Sequence, residues 1–144
     1  MTPLGVAQPG SFSVIVDNGT GDPSSALLAQ VYTAVDAVRA FSVQPFVSGP
    51  SLVVVTASIT IRVTSGYSFS EVQPAVAAAI SAYAETVGVG GELFVSSVEG
   101  VALAQPGVAA VAPGTQLNGL AADVVVADYQ EVSIPLVGVS VGTY

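Results

Sequence analysis

The side chains that could do chemistry here are ten carboxylates, two arginines (Arg39 and Arg62) and many hydroxyls, with no His, Lys or Cys. That inventory removes whole reaction classes. A Ser-His-Asp triad needs an imidazole, and a Ser-Lys pair needs an amine. Zinc bound by thiolates, a thiol nucleophile and a disulfide all need Cys. Carboxylate chemistry is left. Asp17 and Asp22 flank a turn, with Asn18 beside them, and could offer oxygens to Ca²⁺. A calcium site takes six to eight oxygens, usually with several carboxylates, and this turn supplies few. Asp123, Asp128 and Glu131 form the other acidic grouping. Two of them could serve a hydrolase, but strand-end positions suit solvated loops better. A sugar cleft would want stacking aromatics. There is no Trp, and Tyr32, Tyr67, Tyr83 and Tyr129 are scattered as packing or contact residues would be. The sequence reads as a non-enzyme, with no catalytic, cofactor-binding or metal-binding residue.

Two glycine-rich stretches invite a phosphate-binding reading. Gly88-Val-Gly-Gly91 follows a helical pattern instead of preceding one and lacks the Lys and Ser/Thr of a P-loop. Gly19-Thr-Gly21 does precede a helix, where free N–H groups can hold an anion, but Asp22 would repel one. Both read as turns.

These residues must be positioned by a chain of 144 residues, enough for one domain with one core. The formal charge is −8. Two scattered arginines cannot displace the counterions of a nucleic acid or bind an anionic membrane surface. Only 8% of residues are charged, 51% are apolar, and the mean hydropathy is +0.74. A membrane span needs roughly 20 apolar residues without breakers. The long uncharged runs are interrupted by Pro45, Gly49 and Pro50, and by Pro106, Gly107, Pro113 and Gly114. No basic segment opens the chain as a signal peptide would. So apolar a surface with so few charges marks a subunit covered by neighbours.

Along the chain, residues 1–10 read as a lead-in. Residues 11–17 alternate Phe12, Val14 and Val16 as a strand. Asp22 as N-cap and Pro23 at N1 open a helix to about Ala40, with Leu28, Val31, Val35 and Val38 as its stripe. Residues 42–51 form a connector. Residues 52–64 form one long strand, with Ile59, Ile61 and Val63 on one face. Ser68 and Ser70 both fit capping boxes, and Pro74 favours Ser70 as the cap. The helix that follows carries Val72, Val76, Ala79, Ile80, Tyr83 and Val87, a stripe that should pack on the Ile59 face. A short extended piece at 93–95 precedes a short helix capped by Ser96. Strands at 108–111, 123–127 and 131–141 follow, the last interrupted by Pro135 as an edge strand would be.

The expected architecture is α/β (α+β): a single sheet with two main helices and one short helix packed on one face, in β-α-β-α-α-β-β-β order. It is one domain over 11–144, with 123–144 as a β extension to a neighbouring subunit; removing 131–144 should abolish assembly and leave the 11–111 core largely folded.

The segment order resembles the C-terminal region of baseplate J-like proteins. The resemblance lies in Ser11-Phe-Ser-Val-Ile-Val-Asp17 with Gly21-Asp-Pro23 and a helix, and in the connector 43–51 leading into the strand run from Leu52 to Val63. It continues in Val89-Gly-Gly-Glu-Leu-Phe-Val-Ser-Ser-Val-Glu99, the Gln105-Pro-Gly-Val108 step and the tail Glu131-Val-Ser-Ile-Pro-Leu-Val-Gly138. It covers about 11–141. It implies a structural subunit of the baseplate in contractile phage tails and related injection machines. Such a subunit contacts other baseplate and tail proteins and copies of itself, without cofactors, nucleic acid or membrane. Its place would be the virion tail baseplate, assembled in the bacterial host cytoplasm. The family's larger upstream portion has no counterpart here, which implies a fragment or a minimal version. A different reading is a ferredoxin-like domain binding a small or regulatory ligand at 88–91, which would need a discrete apolar pocket with converging polar groups.

Overall fold

The computed structural model describes residues 9–144; the lead-in at 1–8 lies outside the described residues. The first unit is β1 (Ser11–Ile15), α1 (Ser25–Val38) and β2 (Gln44–Ser48). β1 and β2 pair in parallel from Ser11↔Gln44 to Ile15↔Ser48, and Val16 N–H donates onward to the Ser48 carbonyl. β2 falls in the stretch read as a connector because of its prolines. Pro45 is tolerated because β2 has a ladder on one side only. Ser24, not Asp22, caps α1: its hydroxyl accepts the Leu27 N–H at 3.3 Å, so Pro23 precedes the cap. The stripe of Leu28, Val31 and Val35 is only half-buried, and no residue of α1 is buried.

The run read as one strand at 52–64 is two, β3 (Ser51–Val54) and β4 (Ala57–Val63). The run at 131–141 also divides, into β9 (Gln130–Ser133), a 3₁₀ turn (Leu136–Gly138) and β10 (Val139–Thr143). The two breaks face each other. β3 pairs in parallel with β9 from Ser51↔Gln130 to Val54↔Ser133, and β4 with β10 from Ala57↔Val139 to Ile61↔Thr143. Pro135 has no N–H to give a ladder, so the chain loops outward there and rejoins in register. On the facing side the Val55 N–H still reaches the Ser133 carbonyl at 2.9 Å. Asn118 takes both backbone groups of Thr56: its Oδ1 accepts the Thr56 N–H at 2.9 Å, and its own N–H donates to the Thr56 carbonyl at 2.8 Å.

β4 is the central strand. β6 (Val108–Val111) and β7 (Gln116–Leu117) pair antiparallel with it, opposite β10, with a bulge at Arg62/Val63. β5 (Glu92–Leu93) and β8 (Val124–Val125) form a small antiparallel pair. Among the described residues the class is mixed α/β with three helices, but the expected single sheet is replaced by one four-stranded sheet and three two-stranded ladders. The two later helices bury side chains in the same cluster as β4, whereas α1 does not. α2 (Phe69–Val87) packs on β9 and β10, α3 (Val95–Leu103) on β6, and α1 on β2.

Ser68, not Ser70, caps α2. The Glu71 carboxylate accepts from both the Ser68 N–H and the Ser68 hydroxyl, and these bonds hold its pKa below the ordinary value. The reciprocal bonding outweighs the Pro74 argument, and Pro74 sits inside the helix. α2 then delivers the expected face: Val72, Val76 and Ile80 are buried in one cluster with Ile59 and Ile61, and Tyr83 and Val63 pack at its margin. Val98 and Ala102 of α3 join them, as do Val132, Ile134 and Val141 from the C-terminal strands. Each fully buried Val or Ile contributes about 1.5–3 kcal/mol. The cluster begins at Val55 and includes no residue of β1, α1 or β2. The expectation that 131–144 can be removed without unfolding the core is therefore corrected, because β9 and β10 pair with the chain's own strands and bury core residues. Among the described residues no helix is long and apolar enough to cross a membrane.

Candidate functional site

The acidic residues singled out from sequence do not converge. Among the described residues no group of three or more acidic side chains is placed to hold a metal ion. The 17–22 turn is closed on itself: Asp17 Oδ1 accepts the Gly19 N–H at 2.6 Å, and Asn18 Oδ1 accepts the Thr20 N–H at 3.1 Å. The Asn18 amide donates to the Asp22 carbonyl at 3.4 Å. The Gly19 and Thr20 N–H groups that an anion would need are already spent.

The three residues read as a solvated acidic group have three different fates. Asp128 is exposed. Asp123 accepts the Val95 N–H at 2.8 Å and supplies the cap that α3 lacks locally, since Phe94 occupies the cap position. Glu131 is buried, 2% exposed, which corrects its reading as a loop-solvating carboxylate. Burial first, then the charges of Asp17 and Glu85, push its pKa up. Sequence could not show this, because an acidic residue at the start of a strand ordinarily faces water.

The 88–91 stretch is a packing turn. Gly90 N–H donates to the Gln130 carbonyl at 2.8 Å, and Gly91 N–H to the Gly88 carbonyl at 3.4 Å. A side chain at Gly91 would strike the Val87 carbonyl at 2.5 Å. These N–H groups have no capacity left for a phosphate, which weighs against a regulatory-ligand domain built around them. The tyrosines line no common site. Tyr32 and Tyr67 are exposed, Tyr129 is half-buried and Tyr83 packs on the core. Tyr67 lies over Gly107, whose φ of +88° and near approach to the ring leave no room for a side chain.

The concave features are open grooves. One of about 510 Å³ runs between α3 (Ser96, Glu99, Gly100, Leu103) and β6 (Ala109, Ala110, Val111). Beside these grooves, large apolar side chains stand in water: Phe41 is 99% exposed, Val137 97%, Val38 83% and Val125 70%. β10 and β6 end the four-stranded sheet, each paired on one side among the described residues. The one ion pair among the described residues joins Arg39 to Asp36 within a single helix turn. Exposed apolar tips, open strand edges and few charges form a surface fit for contact with other proteins.

A family model described as the baseplate J-like protein C-terminal domain matches residues 55–138. The match coincides with the buried cluster that starts at Val55 and is narrower than the 11–141 expected from segment order. No curated protein matches the chain.

Proposed function

The chain belongs to the baseplate J-like protein C-terminal domain family, and from that premise we propose that it is a structural subunit of the baseplate of a contractile phage tail or a related injection machine. It works by contact with other baseplate and tail proteins and with copies of itself, without catalysis. It resides in the virion tail and is assembled in the bacterial host cytoplasm. The family match carries this reading; the exposed Phe41, Val38, Val125 and Val137 support it, since free monomers rarely leave so much apolar surface uncovered. In the stretch 123–144, the outer edge of β10 and the neighbouring Leu136, Val137 and Tyr144 form the part that a neighbour covers, by strand addition or side-chain packing.

The test is to delete the gene in the phage or strain that carries it and examine tail particles by electron microscopy, with antibody labelling of wild-type particles. The expected result is label at the tail end and deletion particles with absent or incomplete baseplates. Normal baseplates in the deletion, with no label on wild-type tails, would sink the reading.

A further inference from the structure

Glu131 lies at a junction. It sits in β9 opposite Leu52 of β3, and its Oε2 is shut off from solvent with no hydrogen-bond partner. Above it is the 17–22 turn, which joins β1 to α1. A Cβ on Gly21 would come within 2.9 Å of Glu131 Oε2 and within 2.5 Å of Leu52 Cδ2. The carboxyl group is thus where the β1–α1–β2 unit rests on the main core. That unit gives nothing to the core cluster.

The charged groups facing this carboxyl are Asp17 from the turn and Glu85 from α2. Both are acidic, β3 carries no charged residue, and Asp22 is exposed. An ionised carboxylate buried without a partner is costly, and three things could relieve it. A basic side chain is absent from the junction: Arg39 is engaged with Asp36 and the Val43 carbonyl, and Arg62 lies on β4. A metal ion would need several oxygens at about 2.3–2.6 Å, but the Gly21 backbone and Leu52 close over Oε2, and no third acidic group converges. A proton needs no room.

We propose that Glu131 is a proton-controlled latch: protonated, it lets the 17–22 turn seat on the core; ionised, it drives the turn away together with Asp17. The direction follows from linkage. The seated state binds the proton more tightly than the open state, where the carboxyl is hydrated and has its ordinary pKa. Seating therefore strengthens as pH falls through the raised value and is at full strength below the ordinary one. Once unseated, the two-stranded β1–β2 ladder has too little support to persist alone. The inference does not depend on the baseplate role.

The test uses the full chain in two measurements. Carbon-detected NMR titration of the glutamate carboxyls should place the Glu131 midpoint above the ordinary glutamate value. Hydrogen exchange at the Val16 amide, corrected for intrinsic rate, should show protection falling by up to about tenfold for each unit by which that midpoint is displaced. Glu131→Gln should keep low-pH protection at neutral pH and lose the pH dependence. If that variant does not fold, the two wild-type measurements decide. A Glu131 midpoint in the ordinary range, or protection that does not change with pH, overturns the latch. A midpoint that moves on adding millimolar Ca²⁺ or Mg²⁺ also overturns it, in favour of a cation site.

Discussion

The Asp123 carboxylate caps α3 at Val95 across 28 residues of sequence, accepting its N–H at 2.8 Å. Nothing in α3 itself does this, so the loop before β8 fixes where the helix begins. Asp123→Ala should cost about 1 kcal/mol of stability by urea unfolding, and Asp123→Asn less, because an amide oxygen still accepts the bond. An unchanged midpoint for the alanine variant would show that water serves the helix end equally well.

Ile80 is fully buried at the centre of the α2 stripe, between Val76 and Ala84. Ile80→Ala should destabilise by about 2–5 kcal/mol in chemical denaturation. A loss below about 1 kcal/mol would mean that α2 does not press this face into the buried cluster.

Asn118 stands at φ +53° and satisfies both backbone groups of Thr56 where the β3–β4 run breaks. Asn118→Asp should be nearly neutral. Asn118→Gly keeps the backbone conformation but strands the Thr56 N–H, at about 1–3 kcal/mol if water does not reach it. Asn118→Ala should be worse than glycine, since it adds backbone strain. Equal stability of the glycine and alanine variants would remove strain from the account.

Deleting 131–144 should unfold the chain. Val132, Ile134 and Val141 would leave the core, and β3 and β4 would each lose a parallel partner. Circular dichroism and a proton–nitrogen NMR spectrum would show collapse of dispersion. A folded truncated chain would instead make the tail an appendage.

Phe41→Ser and Val137→Ser together should leave unfolding within about 0.5 kcal/mol of wild type, because both side chains are almost wholly exposed. Sedimentation should show weaker self-association than wild type, most clearly near the sequence pI of about 4.1, where charge repulsion is least. A wild-type chain that stays monomeric throughout would count against copies of itself as partners.

The elements that sequence predicted well are those whose pattern is local. The Val72, Val76 and Ile80 stripe and the Ile59 and Ile61 alternation meet as their periods require. What escaped prediction has remote causes. The run at 52–64 contains no breaker at Val55 and Thr56; its division depends on Pro135 and Asn118, brought alongside only by folding. β2 was hidden by Pro45 and Gly49, which matter less on a strand with a free edge. The stripe of α1 reveals a helix but not its depth, and only the tertiary structure shows that Val38 faces water. Asp17, Asn18 and Asp22 were legible as a turn, whereas the burial of Glu131 beneath that turn was not. It depends on Gly21 lacking a side chain and on Leu52 across the ladder.

The parallel pairs β3–β9 and β4–β10 have a consequence for biosynthesis. Ala57 must wait for Val139 and Ser51 for Gln130, so the parallel partners of β3 and β4 are translated long after those strands themselves. Parallel, long-range pairing is slow in any case. During translation Ile59 and Ile61 can meet α2 and β6, but one edge of β4 stays bare until β10 has emerged from the ribosome. The nascent chain is then most prone to misassembly in the interval before β9 and β10 emerge, a stage at which holding chaperones would have most to do.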